Sequence, residues 1–303
     1  MTDTTSPSLP VAKTPLPPRV PLSVNMARMG YQLGEIFASK LAGRIAADAF
    51  GKSRSKGSRT EFRMPLGAQA YQIFDNDDID HGYLWKNDGP NVLLVHGWGA
   101  DSSSMSGFVK PLLSLGFQVA SFDAPAHGES SGNKTTMTRF VKAVGAAIKS
   151  LGDVQIIIGH SLGSIASVAA VKEADLSGSM KCMVLLAAPV SLTTVLERWA
   201  KNQHQHLPPT VTKEVYKRLH VQNGVPVSHW DISILGAGFD IPVLVLHDKN
   251  DPVVPYTEAE ILLASLKNVR LEQTSGLGHS RLLSTASVKE LVTTFISDVT
   301  SKK

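Results

Sequence analysis

Cysteine occurs once in the 303 residues, at Cys182, which excludes an internal disulfide framework and any four-cysteine zinc site. Aromatic residues make up only 6% of the chain and charged residues 18%, against 43% apolar residues. That balance excludes a disordered polyelectrolyte and fits a globular enzyme, long enough to bury a core without a metal or disulfide staple. No run of 18 residues is apolar and free of charge, so no transmembrane helix is expected. The first twenty residues also lack the apolar core of a secretory signal. With the lone cysteine, these absences point to a reducing, cytoplasmic setting.

A basic surface for nucleic acid is missing from most of the chain. Ten of the 30 Lys and Arg residues, but only four of the 26 Asp and Glu, fall in residues 1–63. The remainder, with twenty basic and twenty-two acidic side chains, is close to neutral, which argues against a nucleic-acid partner. Residues 1–24 hold six of the 17 prolines among Thr and Ser, a composition that reads as a disordered tail. From Ser23 to about Phe50, Met29, Leu33, Phe37, Leu41 and Ile45 recur every fourth residue, with Ile36 beside them, predicting an amphipathic helix. Its stripe packs on the body of the protein or on a second subunit, or else lies on an anionic membrane surface. Packing is the simpler reading. A basic run, Lys52, Arg54, Lys56, Arg59 and Arg63, follows and reads as a solvated linker that closes an N-terminal unit, 25–63.

Beyond this unit, strand-like and helix-like segments alternate as a parallel sheet with crossover helices requires. Apolar runs at 91–95, 117–122, 154–158, 181–188 and 241–246 predict buried strands. Residues 104–115, 135–151 and 162–174 predict helices between them, and 68–74 and 82–86 antiparallel edge strands joined by a turn over 76–80. A last strand at 269–274 and helix at 287–299 close the chain. Residues 191–240 separate two core strands by more than a crossover helix needs. They predict a small helical cap with helices at 191–203 and 210–221, inserted in a core of 64–190 and 241–303. Trp199, Leu207, Val215, Tyr216, Leu219, Trp230 and Leu235 read as the cap's own apolar packing rather than as substrate contacts.

The chemistry concentrates where predicted strands end. Gly159-His160-Ser161-Leu162-Gly163 follows an apolar strand and opens a helix. There a serine on a sharp turn is exposed and flanking glycines permit close packing. A serine needs a base, and the base an acid. His279, in Gly278-His279-Ser280, follows the 269–274 strand, and Asp251, in Asn250-Asp251-Pro252, follows the strand at 241–246. Chain order is then Ser161, Asp251, His279, the order of a nucleophile-elbow hydrolase. With these motifs the sequence resembles a serine hydrolase of the α/β-hydrolase fold, in its capped, esterase- and lipase-like branch, over roughly residues 64–303. The resemblance implies a mostly parallel central sheet flanked by helices. His96-Gly97-Trp98-Gly99 is similar to the family's oxyanion motif, which implies an oxyanion hole of the Trp98 and Leu162 backbone N–H groups. The turn Asp123-Ala124-Pro125-Ala126-His127-Gly128-Glu129-Ser130 is similar to a structural turn of the family, with Ala126 in place of its first glycine. The stretch from His247 to Pro255 is similar to the family's acid loop, a likeness that implies Asp251 as the acid, with Asp248 in reserve.

The reading is therefore a cofactor-independent esterase acting on small-molecule esters of small to medium acyl chains. A thioesterase, a lysophospholipase or acylglycerol lipase, a carbon–carbon bond hydrolase, a hydroxynitrile lyase or a slow-turnover ligand sensor would carry nearly the same motifs. His96, His127, His160 and His247 read as hydrogen-bonded scaffold, Cys182 as an inert buried thiol, and His204 with His206 as too few ligands for a metal.

Overall fold

The structure, a computed structural model, describes residues 26–27, 29–30, 38–53, 64–74, 76, 78–79, 82–202 and 207–301. The 1–24 tail, Leu33, Ile36 and Phe37 of the first stripe, Arg54, Lys56, Arg59 and Arg63 of the basic run, and His204 and His206 lie outside the described residues. Among the described residues, no helix is long and apolar enough to cross a membrane.

Among the described residues, eight strands form one sheet: β1 (Gln69–Tyr71), β2 (Gly82–Trp85), β3 (Asn91–Val95), β4 (Gln118–Phe122), β5 (Val154–His160), β6 (Cys182–Leu186), β7 (Val243–Asp248) and β8 (Val269–Thr274), in the order β1-β2-β4-β3-β5-β6-β7-β8. At one edge β1 pairs with β2, and β2 with β4, antiparallel, and the remaining pairings, from β4 through β3 to β8, are parallel. Parallel strands covered on both faces must be apolar throughout, and every residue of β3, β6 and β7 is buried. Period-two alternation divides them between two cores. Leu93, Val95, Ile157, Met183 and Val245 face one way, while Val92, Leu94, Ile156, Ile158, Cys182 and Leu246 face the other. Burial raises the Cys182 thiol to about 12, so it stays protonated.

Helices α3 (Met137–Leu151), α4 (Leu162–Glu173) and α8 (Tyr256–Ser265) cover the first face, and α10 (Ala286–Thr300) the second. The predicted 104–115 helix is two pieces, a 3-10 helix over Ser102–Phe108 and the short α2 (Val109–Ser114). Pro111 has no N–H to donate back to residue 107, so α-helical bonding starts afresh beside it. β5 runs two residues beyond the predicted 154–158, which carries Gly159 and His160 on the strand itself.

Between β6 and β7 the chain forms α5 (Leu192–Asn202), α6 (Pro209–Asn223), a 3-10 turn at Val227–His229 and α7 (Ile232–Leu235). A bridge between Ser191 and Asp231 closes the base of this insertion. Thr138 on α3 holds it, its N–H donating to Asn223 Oδ1 at 3.0 Å and its hydroxyl to the Asn223 carbonyl at 2.7 Å. Its apolar residues do not form a core of their own as expected: Val215, Leu219 and Trp230 are buried in the cluster that also holds Leu93 and Val95.

The first described long helix, α1 (Ser39–Phe50), packs against α6 through Ala42, Gly43, Ala46 and Ala47. The apolar stripe expected to pack lies elsewhere: Leu41 is 48% and Ile45 52% exposed. The reason is steric. A Cβ on Gly43 would meet the backbone of Glu214 at 3.2–3.3 Å, so the two helices approach closely only across small residues.

Candidate active site

In a parallel sheet, the loops after successive strands emerge at one edge, where open α/β sheets bind ligands. Here the segments after β3, β5, β7 and β8 bring Trp98, Ser161, Asp251 and His279 to that edge. Ser161 joins β5 to α4 with φ 51° and ψ −128°, a strained conformation for a side-chain-bearing residue. Its neighbours have to be small. A Cβ on Gly159 would lie 2.8 Å from the Ser164 Cα, and one on Gly163 would lie 2.7 Å from the Val95 carbonyl oxygen. The Ser161 N–H donates to the Leu186 carbonyl at 2.9 Å, tying the turn to the adjacent strand.

His279 sits on a single helical turn, α9 (Gly278–Arg281), and its Nδ1 donates to Asp251 Oδ2 at 2.7 Å. The other Asp251 oxygen accepts the backbone N–H groups of Val253 and Val254 at 2.7 and 3.0 Å. Burial opposes ionisation of Asp251, but the His279 hydrogen bond and charge, with these N–H donors, hold its carboxyl below the usual carboxylate range. Asp248 does different work: its carboxylate accepts from the Thr274 hydroxyl at 2.7 Å and from the N–H groups of Leu277 and Asn250, both at 2.9 Å. It fastens the loop that carries His279.

Ser161 and His279 line one cavity of about 490 Å³. Trp98 and Leu162 line it too, and Leu162 opens α4, where the first N–H groups lack intrahelical acceptors. Its remaining wall includes Phe50, Val195, Arg198, Trp199 and Val254.

The chain matches the model of the alpha/beta hydrolase fold over residues 90–229 and that of the TAP-like proteins over 223–303. The chain is a member of the α/β-hydrolase fold. An esterase from Pyrococcus furiosus superposes with a TM-score of 0.61 at 20% identity, covering 82% of this hydrolase and 98% of that chain. The mouse alpha/beta hydrolase domain-containing protein 10 gives 0.60 at 18%, covering 78% and 98%. In sequence, the hydrolase is similar to two pimeloyl-[acyl-carrier protein] methyl ester esterases. That of Methylococcus capsulatus is 34% identical over 98 residues, which is 32% of this chain and 37% of that enzyme. That of Aromatoleum aromaticum is 23% identical over 236 residues, covering 64% and 93%.

The hydrolase's other histidines near the edge face inward. Burial lowers His96 and His247, and brings His127 and His160 down to about 3. His96 takes the Ala124 N–H on Nε2 at 3.0 Å, His127 lies against the Trp98 ring, and His247 Nε2 donates to the Val254 carbonyl at 2.9 Å. Asp123 is likewise scaffold, accepting from Tyr83 Oη, Ser102 N and Glu129 N within 3.0 Å. Ala126, standing where a glycine was expected, adopts the left-handed φ of 66°. Of the seven apolar residues assigned to the cap interior, Trp199 lines the cavity instead. Phe50, Val195 and Arg198 were not singled out from the sequence. No local string marks them, and only the helical phase of α5, which puts 195, 198 and 199 on one face, hints at two of them.

Proposed function

We propose that this α/β-hydrolase is a serine esterase that cleaves carboxylic esters of small to medium acyl chains through an acyl-enzyme on Ser161. The observation that carries this reading is the 2.7 Å His279–Asp251 hydrogen bond at the cavity that Ser161 also lines. His279 removes the Ser161 proton as the hydroxyl oxygen attacks the ester carbonyl, while ionised Asp251 fixes the imidazole's orientation and stabilises its charged form. The negative charge that develops on the carbonyl oxygen is met by the N–H groups of Trp98 and Leu162, each such donor contributing about 3–4 kcal/mol to lowering the barrier. His279 then protonates the departing alcohol, activates a water, and the acid is released as Ser161 recovers its proton.

Residues 191–240 act as a small cap in this scheme, since Val195, Arg198 and Trp199 of α5 roof the cavity. The names of the two curated relatives make methyl esters of carrier-bound acyl chains a specific second substrate class to include. The test is hydrolysis of p-nitrophenyl esters from acetate to palmitate, and of acyl methyl esters, by the wild type and Ser161→Ala. Turnover that vanishes in Ser161→Ala and peaks at short to medium chains is expected. Equal rates in the two proteins would overturn the reading.

A further inference from the structure

Phe50, the last residue of α1, lines the same cavity as Ser161 and His279, although it belongs to a helix outside the sheet, its crossovers and the 191–240 insertion. Its ring lies between two tryptophans. The Trp98 ring stacks at a centroid distance of 6.3 Å and an interplanar angle of 23°, and the Trp199 ring meets it edge-on at 5.3 Å and 74°. Trp98 belongs to the loop after β3 and Trp199 to α5, so Phe50 joins two parts of the cavity lining that come from distant segments.

The ring is held there by the rest of α1. Ala42, Gly43, Ala46 and Ala47 bury one face of the helix against α6. Asp48 accepts from Lys134 Nζ at 2.9 Å and from Gln222 Nε2 at 3.3 Å. Just past the helix, the Thr135 N–H donates to the Gly51 carbonyl at 2.9 Å and the Ser53 N–H to the Asn133 carbonyl at 3.3 Å. Side-chain and backbone tethers therefore bracket Phe50 on both sides, a geometry that fixes where an apolar wall stands.

We infer that Phe50 is a specificity-determining residue: its ring is the wall of the cavity that limits the length of the acyl chain that can lie beside Ser161. This rests on the esterase reading. An acyl chain in an aromatic-walled cleft gains binding with each methylene it buries, about fourfold per methylene, until it meets a wall. Shortening Phe50 moves the wall and enlarging it brings the wall nearer.

The experiment compares kcat/KM across p-nitrophenyl esters of butanoate to dodecanoate, and across alkyl acetates, for wild type, Phe50→Ala, Phe50→Leu and Phe50→Trp, with circular dichroism and thermal melts to verify folding. The ratio of decanoate to butanoate kcat/KM should rise about tenfold or more in Phe50→Ala, rise less in Phe50→Leu and fall in Phe50→Trp, with the change carried mainly by KM. An unchanged ratio in all three folded variants overturns the inference, as does a change confined to the alkyl acetates. Loss of all hydrolysis in every folded variant also overturns it, since that marks Phe50 as a structural support. Binding of straight-chain fatty acids, read from quenching of tryptophan fluorescence, makes the same comparison without turnover. If the wild type shows no Ser161-dependent hydrolysis but Phe50→Ala still binds longer acids, the esterase reading falls and the length limit stands. If neither property appears, both fall.

Discussion

His160 donates its Nε2–H to the backbone carbonyl of His279 at 3.0 Å, across 119 positions of sequence. A carbonyl can only accept, so this bond fixes the tautomer and leaves the buried His160 Nδ1 without a partner among the described residues. The residue before the proposed nucleophile thus holds the backbone of the proposed base. Replacing His160 by Leu removes that bond, and kcat should fall about 10- to 100-fold with little change in KM, since one mispositioned group is enough to cost that much. His160→Gln, which keeps an amide donor, should recover part of the loss. Steady-state kinetics on a short-chain ester checks both.

The two aspartates of the 248–251 loop should separate in their effects. Asp251→Asn keeps the shape of the site but removes the charge that orients His279, and kcat should drop by about 10³- to 10⁴-fold. Asp248→Asn leaves the Asp251–His279 bond in place and weakens the acceptors for Thr274 and Leu277. Its cost should appear in stability, at about 1–3 kcal/mol by urea denaturation, with a smaller loss of rate.

Strain at Ser161 should be measurable by comparing two variants at this position. With φ at 51° and ψ at −128°, alanine at this position keeps the strain and glycine relieves it. After allowing for the greater entropy of glycine in the unfolded chain, Ser161→Gly should be more stable than Ser161→Ala by about 1 kcal/mol. Equal melting temperatures would mean that the backbone at this turn is not strained in solution.

Acid should destabilise the protein in a defined window. Burial brings His127 and His160 from an ordinary value of 6.5 to about 3, so the folded protein refuses a proton that the unfolded chain accepts. Their contribution to stability is complete above pH 6.5 and is lost as pH falls from there towards 3, with a slope of up to about 1.4 kcal/mol per pH unit for each histidine. Unfolding free energies measured between pH 7.5 and 4 should show this slope, and it should shrink in His127→Gln.

Glu258 is buried and ion-paired with Arg198, and it also accepts the Val190 N–H at 2.7 Å and the Thr194 hydroxyl at 2.9 Å. Glu258→Ala strands three donors, one of them a cation, and should cost about 3–5 kcal/mol in stability. Arg198→Met should cost less, because Glu258 keeps its two other partners. Denaturant midpoints for the two variants give the comparison.

What could be read in the sequence depended on how local each constraint is. Strand burial on both faces writes itself as apolar runs, and a tight strand-to-helix turn needs glycines at fixed offsets from Ser161, so the sheet and the three residues that meet at its edge were legible. The resemblance selects Asp251 and holds Asp248 in reserve, but what Asp248 does follows only from its partners, and the partners of both aspartates come from segments nearly thirty residues away. The cavity wall was less legible still, because Phe50, Trp98 and Trp199 meet through the packing of three distant elements. The stripe of Leu41 and Ile45 misled for a related reason. A four-residue period marks an apolar face, but close contact with α6 is made by the small face of Ala42, Gly43, Ala46 and Ala47.

The crowding around Ser161 has an evolutionary consequence. Gly159 and Gly163 are required by the close approach of strand and helix, whether or not a serine between them reacts. A descendant that gave up hydrolysis would be released from any catalytic demand on His279, yet would still be held to both glycines by sterics. In comparing lineages, the glycines therefore trace ancestry, and the pairing of residues 251 and 279 would distinguish descendants that kept the proposed chemistry from those that inherited only its frame.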